Sequence, residues 1–356
     1  MRTAARYNWA HLAPFILIIM LVNCQAQKQS RIVERKAVGV QLKGFNTDPS
    51  TGEQEKVLFL EPDIRAYINA PPARQFDADL PTNLIIFALP NGNSIEMTAG
   101  KTTGADEDWH FNIQHIAAQT RFLRKANPDY NSVVIYLEAS TLSWPHWRRT
   151  NENSGAMIKS TLDSLMKMFE PYSPFITLSG HSGGGSFVNG FIEHGTEIPE
   201  TVQRIAFLDS NYGYNESIGK KLSRWLQRSS ENHLVVFAYN DSIALYEGKS
   251  FVSATGGTWY RSKMMIRDLS KTYSFERVDS TDLMNYRFED DKALFILKKN
   301  PTRAIFHTEQ VELNGFIHCL LFATPYENRA YSYFGNRAYG EYIQAEPPAI
   351  LSRLRE

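Results

Sequence analysis

Cysteine is nearly absent from this chain. Of 356 residues only Cys24 and Cys319 are cysteines, too few for a disulfide framework. Net charge is absent as well: 38 Lys and Arg balance 38 Asp and Glu, which gives no basic stripe for a nucleic-acid partner, and Arg148-Arg149 reads as a local feature. The apolar run Leu12–Val22 is eleven residues long, too short to span a bilayer comfortably. No repeat of solenoid period is visible. Neither an H-E-x-x-H pattern nor a Cys/His cluster is present, so no metal or other cofactor is expected. What remains is 43% hydrophobic and 21% charged, the composition of an ordered globular chain.

The N-terminus differs from the rest. Arg2 and Arg6 precede Leu12–Val22, and a positive start followed by a short apolar core fits a signal peptide over residues 1–26. Leu21-Val22-Asn23-Cys24 resembles a bacterial lipoprotein box, in which Cys24 would carry lipid and attach the chain to a membrane, although Asn23 replaces the usual small residue. Cys24-Gln25-Ala26 instead offers ordinary cleavage before Gln27. Either route exports the protein, as a free periplasmic or secreted chain or as an outer-membrane lipoprotein; an uncleaved anchor is the plain alternative.

One domain is expected over 27–356. Strands over residues 36–70 (Ala37–Leu42, Lys56–Leu60 and Arg65–Ala70) suit an antiparallel edge, with turn chemistry at Asn46–Gly52. Strands and helices then alternate. Leu84–Leu89 is a short continuous apolar run of the kind buried in parallel sheets, and Ser132–Leu137, Phe175–Leu178, Arg204–Leu208 and Leu234–Ala238 read as further strands. Helical stripes run through Trp109–Leu123, Ile158–Phe169, Phe187–Ile192, Ile218–Leu226 and Tyr260–Leu269, and Thr302–Phe306 is expected as the last sheet strand. This alternation predicts an α/β fold: a mostly parallel, doubly wound sheet with helices on both faces and residues 245–300 as a cap or insertion.

The most specific motif is Gly180-His181-Ser182-Gly183-Gly184, a G-x-S-x-G pentapeptide that follows Ile176-Thr177-Leu178 and opens a helix-like stretch. A serine on such a strand-to-helix turn is lifted clear of the sheet, at a helix N-terminus that favours developing negative charge. A serine nucleophile needs a base, and the base an orienting carboxylate. Asp241 follows Leu234–Ala238 and His318 follows the last expected strand, so the order Ser, Asp, His is available. On these residues the sequence resembles the α/β-hydrolase superfamily, and looks like one of its exported bacterial esterase-type members, over roughly residues 80–325. The resemblance rests on one specific motif and two loosely placed partners. It implies Ser182 as nucleophile, His318 as base and Asp241 as acid, with no cofactor.

Alternatives stand beside these assignments. Asp209, in Phe207–Gly213, is the rival acid; whichever Asp loses is a turn or cap residue. His307 is the rival base, but at the end of the strand expected at 302–306 it reads as a buried hydrogen-bonded histidine. His181 reads as packing beneath the turn, His110, His115 and His146 as structural or partly exposed, and Cys319 as a buried inert thiol. Oxyanion donors are expected from the Gly183 amide and from Asn91 or Gly92 in the loop Pro90–Asn93, which also reads as a plain turn. Trp144, Trp147 and Arg148 follow Leu137 at the expected ligand end; they either bind substrate or pack, and Tyr212 and Trp259 are weaker substrate candidates. The expected activity is cleavage of carboxylic esters through an acyl-enzyme, the substrate being a small molecule or carbohydrate carrying acyl or aryl ester groups. Peptidase or amidase action on the same triad, or non-catalytic ligand binding on the same fold, are the alternatives.

Overall fold

The computed structural model describes residues 39–352. The signal peptide expected over 1–26, Cys24 and the first two residues of the strand expected at Ala37–Leu42 lie outside the described residues. Within them, that strand is reduced to one bridge, Gly39 to Asp77.

The early strands are β1 (Asn46–Thr47), β2 (Gln54–Leu60) and β3 (Ile64–Ala70). The apolar runs form β4 (Thr82–Ala88), β5 (Asn131–Ala139), β6 (Pro174–His181), β7 (Val202–Leu208) and β8 (His233–Tyr239). A short hairpin, β9 (Leu245–Tyr246) and β10 (Lys249–Ser250), precedes β11 (Phe275–Asp279), β12 (Leu283–Phe288) and β13 (Ala293–Lys298). All but the hairpin share one sheet of order β1-β2-β3-β5-β4-β6-β7-β8-β13-β12-β11. The strands β5-β4-β6-β7-β8-β13 are mutually parallel, and both wings are antiparallel.

The parallel strands are buried on both faces, which is why they read as unbroken apolar runs. Leu84, Ile86 and Ala88 point to one core and Ile85 and Phe87 to the other. The first core packs α3 (Trp144–Thr150), α4 (Ser154–Met168), α5 (Gly185–His194), α6 (Glu216–Arg228) and α7 (Thr258–Leu269). The second packs α1 (Ile95–Ala99), α2 (Ile116–Ala126), α8 (Glu309–Glu312), α9 (Gly315–Leu321) and α10 (Ala349–Ser352). This doubly wound sheet, antiparallel at its N-terminal edge, with a strand–serine–helix turn at its centre, is the α/β-hydrolase fold.

Three expectations change. The helix expected from Trp109 is interrupted at His115 (φ 46°), so Trp109–Asn112 is a single 3₁₀ turn and Trp109 is exposed. Residues 245–300, expected as a cap or insertion, instead contribute β11–β13 to the sheet and α7 to its cover. The last parallel strand is therefore Ala293–Lys298; Thr302–Phe306 is loop. Both runs are apolar, but Ala293–Lys298 alternates between the two cores and pairs in register with Leu234–Tyr239.

Candidate active site

The central turn is built by steric exclusion. β6 ends at His181, Ser182 takes φ 52°, and α5 begins at Gly185. A Cβ on Gly184 would collide with the Ala88 carbonyl, and one on Gly185 with the Ser210 carbonyl. Ser182 is strained in the left-handed region, and its side chain is half-buried.

Register then places Asp209. His181 lies opposite Leu208 in the parallel pair β6–β7, so Ser182 and Asp209 leave adjacent strands side by side. Asp209 also turns sharply, at φ 47°, and its amide donates to the Phe237 carbonyl at 2.8 Å. The Asp209 carboxylate is fully buried. One oxygen, Oδ2, lies 2.5 Å from His307 Nδ1; the other, Oδ1, accepts from the Thr258 hydroxyl. With Nδ1–H donated to Asp209, a neutral His307 ring keeps Nε2 as a proton acceptor.

His181 fixes the other side of His307. Its Nε2 donates to the His307 carbonyl at 3.2 Å, and the two rings lie 4.7 Å apart. Burial and the neighbouring His307 hold the His181 pKa well below the usual imidazole range, so His181 stays neutral. The residue before the serine thus clamps the loop that carries His307.

Asp241 and His318, the sequence's first choices for acid and base, are not brought to the serine. His318 lies on α9, on a face of the sheet, in a stack with Tyr333 (5.3 Å) and Phe237 (5.8 Å). Its Nδ1 is 2.9 Å from the Tyr331 hydroxyl. Burial pushes its pKa down to about 4. Asp241 caps α7: its Oδ2 accepts the Thr258 amide at 2.8 Å, with the Thr258 hydroxyl at 3.3 Å. Burial and the Asp209 charge raise its pKa to about 6. Thr258 therefore bridges the two aspartates, and only Asp209 reaches a histidine.

On the opposite side of the serine, the Asn91 side chain lies against Gly183, close enough that a Cβ on Gly183 would strike it. The Gly183 amide belongs to the leading turn of a helix, where N–H groups lack intrahelical acceptors. Gly92 is excluded as an oxyanion donor: it turns at φ 78° and spends its amide on the Leu142 carbonyl at 2.8 Å. That loop is anchored from behind. Glu138 Oε2 accepts the Ile95 amide at 2.8 Å, and Arg65 bridges Glu138 and Glu96.

The expected substrate residues divide. Trp144 and Trp147 are fully buried, pack edge to face, and donate to the Leu137 and Pro62 carbonyls. Arg148 ties α3 to α5 through the Ser186 carbonyl and Glu193. The helix starting at Trp144 turns both tryptophans into the core and leaves Arg148 half-buried, linking two helices. Tyr212 alone is exposed, at 38%; desolvation of its hydroxyl, and then the Asp209 and Asp241 charges, raise its pKa. Trp259 is half-buried against the core. Cys319 is buried and its thiol is pushed up to about 12, which leaves it protonated and unreactive. Among the described residues no group of three His, Cys, Asp or Glu side chains could hold a metal ion.

Sequence reasoning had no place for Thr258 and ranked His307 second. The signal for His307 was the run Ala293–Lys298, which, taken as the last strand, frees His307 for a loop at the carboxyl edge.

Comparison with known proteins finds no matching family model and no matching curated relative. Solved structures do resemble the chain at low identity. A thermostable esterase is 14% identical over 70% of this chain, with a TM-score of 0.41, and the chain spans 55% of its length. A mutant feruloyl esterase module from Clostridium thermocellum, complexed with sinapinate, is 9% identical over 83% of this chain and 96% of its own, with a TM-score of 0.45. Thermogutta terrifontis esterase 2, phosphorylated by paraoxon, is 13% identical over 62% of this chain and 78% of its own, with a TM-score of 0.34.

Proposed function

We propose that this protein is a serine hydrolase of carboxylic esters, with Ser182 as nucleophile, His307 as general base and Asp209 as the acid that orients it. The observation that carries the proposal is the Asp209–His307 contact at 2.5 Å, set beside a left-handed serine at the turn between β6 and α5.

In the proposed reaction, His307 Nε2 takes the Ser182 hydroxyl proton as Oγ attacks the acyl carbonyl. Asp209 holds the ring in the Nδ1–H tautomer and stabilises the imidazolium that forms. The tetrahedral oxyanion is met by the Gly183 amide and by a donor from Asn91, each worth about 3–4 kcal/mol in such sites. His307 then protonates the leaving alkoxide, and water repeats the sequence to release the acid.

The substrate class follows from the rim. Leu142, Tyr212, Tyr246 and Phe251 are all exposed, in the segments that follow β5, β7 and β8, Tyr246 lying in the short β9 hairpin strand. Exposed rings in those segments favour an apolar or aryl group next to the ester, with a carbohydrate carrier accommodated by stacking.

The test is labelling of the purified protein with a fluorophosphonate, followed by a panel of p-nitrophenyl acyl esters. Labelling lost in Ser182→Ala, with ester turnover by the wild type, is expected. A folded wild type that neither labels nor turns over any ester overturns the proposal and points to a ligand-binding role. Export is proposed separately, on the run Leu12–Val22. Incorporation of labelled palmitate that disappears in Cys24→Ser selects the lipid-anchored route; release of unlabelled mature protein selects cleavage before Gln27.

A further inference from the structure

At the amino edge of the sheet, the end away from Ser182, the apolar pattern of the parallel strands is broken by two short groups of polar side chains. Asn83 of β4 is in register with Ser132 of β5, Thr177 of β6 with Arg204 of β7, and Arg204 with His233 of β8. Alternation puts all five on the same face as Ile85, Val134, Ala206 and Val235, where the continuing strands are purely apolar. Five strands thus each place a polar residue on one buried face, in two adjacent steps because Thr177 pairs with Ile85 and not with Asn83; such residues are rare there unless they have partners.

These side chains line a cavity of about 60 Å³, together with the region around Leu320–Thr324, Asn127 and Tyr130. Arg204 is 8% exposed. Its two terminal nitrogens donate to the Cys319 carbonyl at 3.1 Å and the Phe322 carbonyl at 2.9 Å, at the end of α9. That accounts for two of its five N–H groups. Among the described residues no carboxylate is ion-paired to it; Glu231, on the rim of the cavity, is exposed and forms none. Burial lowers the Arg204 pKa to about 10, so the guanidinium remains charged at neutral pH. His233 is held near 4 by burial and by Arg204, so it brings no second charge. Two further buried atoms, Asn83 Oδ1 and Thr177 Oγ1, have no hydrogen-bond partner among the described residues.

Glu327 acts on Arg204 only through its charge, without an ion pair, and a buried cation with spare donors and no directly paired anion costs several kcal/mol unless a counter-charge is supplied. We propose that this chamber binds a small monovalent anion, either a halide or a short carboxylate, held by the Arg204 guanidinium with the Thr177 hydroxyl donating to it. Asn83 can join by turning its amide so that Nδ2 faces inward. The volume admits a few water-sized groups and excludes phosphorylated metabolites. The site is separate from the catalytic one: Arg204 precedes Asp209 by five residues on the same chain run, about 16 Å along the strand. Because Arg204 joins β7 to the end of α9, an anion bound there stabilises the folded chain by mass action.

The test uses the full mature protein in gluconate buffer at fixed ionic strength, with chloride or acetate exchanged in. The expected result is a saturable rise in Tm of a few degrees with chloride, acetate or both, absent with gluconate; the ion that saturates identifies the source. Thr177→Val removes a hydroxyl that has no partner, so it is expected to fold normally in gluconate and to need about ten-fold more anion. Arg204→Gln is expected to lose the saturable response. A bromide-soaked crystal is expected to show anomalous density within hydrogen-bond distance of Arg204. An identical anion response in the wild type and Thr177→Val, or a chamber holding water only in bromide, overturns the proposal.

Discussion

His307 and His318 are only eleven residues apart, yet they occupy opposite kinds of place. His307 sits in a loop at the carboxyl edge of the sheet, its ring partly exposed and held between the Asp209 carboxylate and His181. His318 sits on a helix that packs against one face, stacked on two aromatic rings and pushed down to about 4 by burial. The contrast recurs in the acids. Asp209 touches a histidine, whereas Asp241, one strand further on, spends its carboxylate on capping α7. Residue type and order along the chain were equally good for either pair. What separates them is whether the backbone delivers the side chain to an edge, where strand ends leave polar groups free to converge, or to a face, where packing consumes them.

Substitutions test that contrast. Ser182→Ala is expected to reduce kcat by about 10⁶-fold, measured on a p-nitrophenyl ester, with the circular dichroism spectrum unchanged. Asp209→Asn should cost about 10⁴-fold by leaving His307 in the wrong tautomer, while Asp241→Asn should retain activity within about ten-fold; comparable losses in the two would erase the distinction between them. Thr258→Val removes a hydrogen bond to a charged carboxylate, about 1.5–3 kcal/mol. It should lower kcat by roughly 10–100-fold with KM little changed, since Thr258 positions Asp209 and touches no substrate.

The smallest effect concerns stability. The folded pKa of Asp241 is raised to about 6 from the ordinary 3.8. The folded state therefore holds this proton between about pH 4 and 6 while the unfolded chain releases it. That contribution is present below pH 4 and is lost as the pH rises through 6. Asp241→Asn should accordingly gain on the wild type by about 1–3 kcal/mol between pH 4 and 7, read from urea unfolding at each pH. A constant difference across that range would mean that Asp241 is not held protonated beside Asp209.

Much of this was legible in the sequence because burial on both faces leaves a plain mark. The runs at Leu84–Leu89, Ser132–Leu137 and Arg204–Leu208 could only be strands of a covered parallel sheet, and the glycines around Ser182 marked the turn. The second apolar run was harder. Ala293–Lys298 is the more apolar of the two, Thr302–Phe306 opening with Thr and Arg, and pairing with β8 makes the first the strand. Choosing the later run moved His307 to the end of a strand and left His318 as the apparent loop histidine. Trp144 and Trp147 were ambiguous for a related reason: a loop and a short helix after β5 have similar composition, but the helix turns both rings into the core. The Thr258 bridge joins residues 17 and 49 positions apart, a contact that local pattern cannot register.

The central claim, that the edge histidine and not the face histidine does the chemistry, is tested by kcat/KM of His307→Gln and His318→Gln on the same ester, each confirmed as folded. The account predicts a loss of about 10⁵–10⁶-fold for His307→Gln. His318→Gln should stay within about three-fold of the wild type, with a stability cost of about 1–3 kcal/mol. Retained activity in His307→Gln together with loss in folded His318→Gln would contradict it.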